Sequence, residues 1–154
     1  MKKNLLFMLA LLVSVSMVFV ACDKDEESYA SAVAGTYNGT LSIKITGMNL
    51  PDQPSDIVVE KTGDALVKIS STITLPIGEG EGQVMSIPAL FENVKVTKNG
   101  DKYEFSETKY EIPSVATTTL SSGYVENKKI SLNMDVVVGD GSVTGTVTFN
   151  GTLK

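Results

Sequence analysis

Apolar and polar residues alternate along most of this chain, and a period of two can be satisfied by a strand with one buried face but not by a helix. From Tyr37 to Thr46 the odd positions are apolar or small and the even positions polar. Val67, Ile69, Ile73 and Leu75 repeat the pattern, interrupted at Ser71, until Pro76 ends the run. Near the C-terminus Ile130, Leu132, Met134 and Val136 alternate with Ser131, Asn133 and Asp135, and Val143, Gly145, Val147, Phe149 and Leu153 alternate with hydroxyls and Asn150. Weaker versions span Ile57–Glu60, Leu90–Thr97, Tyr103–Ile112 and Thr117–Glu126, so about eight strands are expected. No segment carries a helical stripe, and Ser28–Ala34 offers at most one helical turn.

The breaks between these runs are turn chemistry. Asn99-Gly100 and Asp140-Gly141 accept positive φ at both central positions of a tight hairpin, and Thr62-Gly63-Asp64 is a looser equivalent. Asn49 to Ser55, with Pro51 and Pro54, and Ile77 to Gln83, with three glycines, read as longer loops. Strands joined by tight turns are antiparallel, so the expected fold is all-β, an up-and-down meander. Eight such strands bury their apolar faces by stacking two sheets or by closing a barrel, and closure also removes the exposed edges.

The first 22 residues carry a different signal. Lys2 and Lys3 precede an apolar run from Leu5 to Ala21, and Ala21 is the small residue before Cys22, the only cysteine. Residues 1–21 therefore read as a lipoprotein signal peptide and Cys22 as the lipidation site. An uncleaved membrane helix is the alternative, but the 17-residue run is at the bottom of the spanning range of roughly 17–25 residues, and Ser14 and Ser16 weaken it. Residues 22–32 read as the lipidated cysteine and an acidic linker. Lys24-Asp25-Glu26 in that linker resembles the surface-export signal of Bacteroidetes-type lipoproteins, which implies an outer membrane lipoprotein of the cell envelope facing outward. A solvated linker has the same composition.

Two stretches resemble a known family. The opening Val33-Ala34-Gly35-Thr36-Tyr37-Asn38-Gly39-Thr40-Leu41 and the closing Val147-Thr148-Phe149-Asn150-Gly151-Thr152-Leu153 resemble the ends of the calycin-like β-barrel domain of secreted lipoproteins of that bacterial group. The resemblance implies a barrel over residues 33–154 and says little about function. Lipocalins proper begin with Gly-x-Trp, the tryptophan lying under an arginine. Here Gly35-Thr36-Tyr37 stands in that place and the chain has no tryptophan or arginine. Tyr37 is expected to plug one barrel end with its hydroxyl in water.

Composition then removes whole classes of function. Without the leader, 11 lysines face 18 carboxylates, a net charge of −7, with no arginine. Such a surface is poorly suited to phosphate backbones, so no nucleic-acid partner is expected. With no histidine and one cysteine, Ser-His and Cys-His catalysis and the usual zinc, copper and haem ligand sets are unavailable. No metal or cofactor is expected, and no enzyme. Glu79 and Glu81 lack the spacing of a calcium loop, and Glu104, Glu107 and Glu111 are explained by the polar faces of strands as well as by a glycosidase pair.

An eight-stranded barrel leaves room for a side-chain core or one small ligand. The inward set is mostly aliphatic, and Leu41, Ile43, Val67, Ile69, Phe105, Leu132, Met134, Val147 and Phe149 are the candidate lining of an apolar or amphipathic ligand site. The same set serves equally as a packed core. Three classes stay open: a carrier or binding module for a small apolar ligand with the 49–55 and 77–83 loops as its lid; an interaction module of a cell-surface complex with a filled barrel; and, least favoured by these residues, an enzyme.

Overall fold

The computed structural model describes residues 28–76 and 82–154. The leader, Cys22, the acidic linker up to Glu27 and residues 77–81 lie outside the described residues, and so does the lipidation expected at Cys22. The described chain runs α1 (Tyr29–Val33), β1 (Gly35–Ile45), β2 (Met48–Asn49), β3 (Gln53–Lys61), β4 (Leu66–Pro76), β5 (Val84–Asn99), β6 (Lys102–Phe105), β7 (Thr108–Ile112), β8 (Ala116–Glu126), β9 (Lys129–Val138) and β10 (Val143–Leu153).

Every recorded pairing is antiparallel, and β10 pairs with β1 to close the sheet into a barrel. The ten segments occupy eight strand positions. β2 and β3 both lie along the same side of β1, and β6 and β7 both lie along β8, so each pair is one interrupted strand. The expected meander of about eight strands is the observed one, and the barrel is the expected closed form.

Several connections differ from their sequence reading. Asn49–Ser55 is not a long loop: the chain turns at Thr46-Gly47, with Gly47 at φ 83°, and Gln53, Pro54 and Ser55 already belong to β3. Its prolines signalled a loop, but Pro54 sits in a strand that pairs with β1 opposite Thr40. The β5–β6 turn is centred on Gly100-Asp101, because Asn99 pairs with Lys102. Asp140-Gly141 belongs to a four-residue connection, because Val138 pairs with Val143. A two-residue hairpin that the reading missed is Asn127-Lys128, whose φ values of 51° and 63° are those of a type I′ turn.

Two ends of the barrel differ. At the lower end α1 lies across the opening, with Ala30 and Val33 fully buried in the core. Ser28 caps the helix by accepting from the Ser31 N–H, and the Ala30 N–H donates to the Asp64 carbonyl in the β3–β4 turn. Tyr37 is the expected plug, but its hydroxyl does not reach water. It donates to the Val33 carbonyl at 2.8 Å, and burial pushes its pKa up to about 12. The upper end has no such helix among the described residues. Its described connections are 46–52, with β2 inside it, 113–115 and 139–142.

Glycines in the strands let the walls curve. Gly39 pairs directly with Gly151, and a Cβ on Gly39 would strike the Asn150 carbonyl oxygen and the Gly151 Cα. The Phe149 ring folds over Gly151 and occupies the place its side chain would take.

Strand β4 separates from β3 toward the upper end. Their ladder runs from Lys61↔Val67 to Val58↔Ser70 and stops there, although β3 extends to Gln53 and β4 to Pro76. On the other side, β5 pairs with β6 but not with β7. Both separations face a proline. Residues that directly oppose each other alternate between exchanging two hydrogen bonds and none, and proline has no N–H to exchange. Pro54 opposite Thr40 and Pro88 opposite Thr72 therefore turn their nitrogens away from these partners. Those nitrogens face the two separations, where each removes a donor that a ladder would use.

Candidate functional site

The barrel interior is the first candidate. The nine residues expected to line a ligand site are brought together there, each between 0 and 6 % exposed. Register explains the grouping. Leu41 lies opposite Phe149, Phe149 opposite Leu132, Leu132 opposite Gly123, and Gly123 opposite Phe105, a continuous row around half the barrel. A Cβ on Gly123 would meet the tips of Leu132 and Phe105, so those side chains occupy the glycine's place. Ile43, Val147, Met134 and Leu120 form the next row up. On the far wall Val67 opposes Val94 and Ile69 opposes Phe91.

This interior is filled. Tyr37, Ile57, Val67, Val94, Leu120, Leu132, Val147 and Phe149 are each 0 % exposed, so no water-sized sphere touches them from bulk solvent or from an internal void. A cavity able to hold a lipid chain would leave part of its lining accessible. Sequence reading missed Phe91, one of the largest fully buried side chains, and the phase of Ile87, Ala89 and Phe91 on odd positions was the signal that could have found it. Gly145 offers no room either: a Cβ there would come within 2.8 Å of the Lys44 carbonyl oxygen, so bulk at this position strains the β1–β10 ladder whatever the interior holds.

The upper rim is the second candidate. Met48, Val84 and Val115 are 59, 57 and 42 % exposed, half of the large hydrophobic side chains that stand exposed among the described residues. They lie at three successive upper connections: Met48 in β2 just after β1, Val84 at the first position of β5, and Val115 just before β8. Behind them Ile45, Leu50, Met85, Ile112 and Val138 are half-buried against the core. Leu50 is held in place by its N–H, which donates to the Ile43 carbonyl.

Among the described residues the carboxylates show no convergence. Glu111 pairs with Lys109 at 2.6 Å, which lowers its pKa, Glu104 accepts from Asn99, and Glu107 is exposed between β6 and β7. Asp56 accepts from Asn38 at 2.7 Å and from Lys154 at 2.8 Å, and these two partners hold its pKa below the usual value. No group of three metal-ligating side chains occurs among the described residues. Glu79 and Glu81 lie outside them.

A groove of about 390 Å³ occupies the separation between β3 and β4, lined by Ser55, Asp56, Val58, Ser70, Ser71 and Thr72. Gln53 reaches across it, its side-chain amide donating to the Thr74 carbonyl at 3.2 Å. The Ser71 hydroxyl is shielded from solvent with no hydrogen-bond partner.

Comparison with known proteins locates this architecture. The crystal structure of a Bacteroides fragilis NCTC 9343 protein provisionally assigned to the outer membrane superposes with a TM-score of 0.66 at 20 % identity, over 82 % of this chain and 53 % of that one. The present chain thus spans about half the length of that relative. A redesigned β-barrel aligns over 80 % of this chain and 95 % of its own at 15 % identity with a TM-score of 0.42. No curated protein matches. Residues 33–152 match the Calycin-like beta-barrel domain, the family to which this chain belongs.

Proposed function

We propose that this chain is a lipid-anchored envelope module that binds a protein partner through its upper rim, its barrel serving as a rigid scaffold instead of a ligand container. The observation that carries the reading is the filled interior, because a carrier needs a cavity that most of its ligand's surface can enter. Of the exposed large hydrophobic side chains, Tyr29, Leu66 and Tyr124 lie toward the lower end, and Met48, Val84 and Val115 are those at the rim that an anchored lower end would leave facing a partner.

Geometry supports an outward-facing rim. The described chain begins at Ser28 beside α1, at the lower end. Five residues lie between Cys22 and Ser28, so the connection could reach at most about 20 Å when extended. An acyl anchor on Cys22 would hold the lower end near the membrane and aim the rim away from it. The Bacteroides fragilis relative, provisionally an outer membrane protein, is consistent with an envelope location.

The interior is tested by titrating the protein with N-phenyl-1-naphthylamine, a fluorescent apolar probe. The expected result is no saturable one-to-one binding, and saturable binding weakened by Met134→Trp would replace this reading with a carrier. The rim is tested with a photo-crosslinking amino acid placed at Val84 or at Ser131 in living cells. A discrete adduct from position 84 alone is expected, and equal yields from both positions would remove the rim from the proposal.

A further inference from the structure

We propose that the separation between β3 and β4 is an acceptor site for an extended polypeptide strand, which pairs with the free edge of β4. This goes beyond the rim reading and stands without it.

The two strands part by design of the sequence, not by running out. β3 continues for five residues past its last pair with β4, from Ile57 back to Gln53, and β4 continues for six, from Ser71 to Pro76. Alternation fixes which backbone groups are left free. Thr72 opposes Pro88, so this pair exchanges no hydrogen bonds, and the N–H and carbonyl groups of Thr72 and Thr74 point toward β3. Pro54 has no N–H to offer them. Small and hydroxyl side chains, Ser55, Ser70, Ser71 and Thr72, keep the 390 Å³ groove clear.

The occupant is identified by what already imitates it. Gln53 donates a side-chain amide N–H to the Thr74 carbonyl, at the place where a neighbouring strand would donate a backbone N–H. One amide satisfies one acceptor. The remaining edge groups recur at the two-residue spacing of a strand, and an extended polypeptide supplies matching donors and acceptors at that spacing.

The test uses residues 22–154 with Cys22→Ser, because the core residues all lie between Ala30 and Phe149 and the truncation removes none of them. The probe is the hexapeptide Gln-Val-Ser-Asp-Ile-Val, blocked at both ends. It copies residues 53–58 with valine in place of Pro54, and so supplies the donor that β3 lacks. NMR titration is expected to give saturable one-to-one shifts confined to residues 53–58 and 70–76, with new protection of the Thr72 and Thr74 amides from hydrogen exchange. Gln53→Ala frees the Thr74 carbonyl and is expected to tighten binding about tenfold, the worth of one hydrogen bond. Pro54→Val lets β3 zip onto β4 and is expected to abolish binding while raising the melting temperature. A peptide with N-methylated alternate residues on its pairing edge is expected not to bind. Absence of saturable shifts with the unmethylated peptide, shifts centred on Met48, Val84 and Val115, or unchanged binding by Pro54→Val would each overturn the proposal.

Discussion

The wall made of β9, β10 and β1 and the wall made of β5 to β8 are built on the same alternation, yet only the first keeps it without interruption. In β9 the inward positions Ile130, Leu132, Met134 and Val136 are all even, and in β1 Tyr37, Leu41 and Ile43 are all odd. In β5 the inward set begins odd with Ile87, Ala89 and Phe91 and turns even with Val94 and Val96. The change falls at Glu92–Asn93, where two residues oppose Lys68 alone and Asn93 has φ 56°. Ser121 is the extra residue on β8, and Ser106–Glu107 separates β6 from β7. These three irregularities are neighbours: the Ser106 N–H donates to the Lys95 carbonyl, the Lys95 N–H donates to the Ser106 hydroxyl, and the register from Phe105↔Gly123 to Thr108↔Leu120 sets Ser106–Glu107 against Ser121–Ser122. They form one fault line across the wall, and each side of it carries its own register. A bulge absorbs one residue and re-aims the strand, so a faulted wall tolerates a change of phase that an unbroken wall does not.

Inserting a single residue is the strongest way to break that comparison. One glycine between Met134 and Asp135 turns the upper half of β9 over, placing Asp135 in the core, and the domain is expected not to fold. The same insertion between Ser106 and Glu107 is expected to cost less than about 1 kcal/mol, since that segment already lies outside the ladder. Leu132→Asp acts on the regular wall with similar force, because a buried charge among Phe149, Gly123 and Phe105 has no partner, whereas Ser131→Asp on the outer face is expected to fold. Urea denaturation followed by circular dichroism reads all four. Equal losses from the two insertions would show that the fault line does not buffer register.

The same division decides what was legible in the sequence. The strands of the regular wall could be read by counting positions, because each keeps one phase throughout, whereas the choice of a barrel over two stacked sheets rested on the removal of edges and on the resemblance carried by the two chain ends. β5 was read only as Leu90–Thr97 although it spans Val84–Asn99: the phase change at Asn93 splits it into two short runs, and neither is long enough to stand out. Phe91 was lost with it. Pro54 gave a loop signal for a residue in a strand, because a local reading cannot see that its nitrogen faces a gap. The candidate lining was found residue by residue, but whether it encloses a ligand depends on volumes summed across the barrel, which no single strand records.

Glycines sharpen the comparison further. A Cβ on Gly39, in the regular wall, meets the Asn150 carbonyl and the Gly151 backbone, which cannot rotate away. A Cβ on Gly123, at the faulted wall, meets chiefly the Leu132 side-chain tip. Gly39→Ala is therefore expected to cost about 3 kcal/mol and Gly123→Ala about 1 kcal/mol, within the range for overpacking. Denaturation midpoints in urea that ranked them in the opposite order would show that the faulted wall is the stiffer one.

Asn93 measures the bulge itself. Its positive φ suits asparagine or glycine and costs a β-branched residue about 1–2 kcal/mol. Asn93→Val is expected to lower stability by that amount and Asn93→Gly to leave it nearly unchanged. A loss on Asn93→Gly as large as on Asn93→Val would locate Asn93's contribution in its side chain instead of its backbone.

Tyr37 ties the regular wall to the helix that closes the lower end. Its hydroxyl, 2.8 Å from the Val33 carbonyl, stays protonated to about pH 12 in the folded protein against an ordinary value of 10. The folded state therefore binds this proton more tightly than the unfolded chain does. The stability linked to it is fully present below pH 10 and is lost as the pH rises from 10 to 12. Tyr37→Phe keeps the ring and removes the hydroxyl, so near pH 7 it is expected to cost about 1 kcal/mol, the worth of one hydrogen bond. The variant is also expected to lose part of the alkaline decline, because its ring has no proton to release. Urea midpoints at pH 7 and across the range from pH 10 to pH 12 read both effects. Parallel declines in the two proteins would assign the alkaline transition to other groups and leave Tyr37 as a packing residue alone.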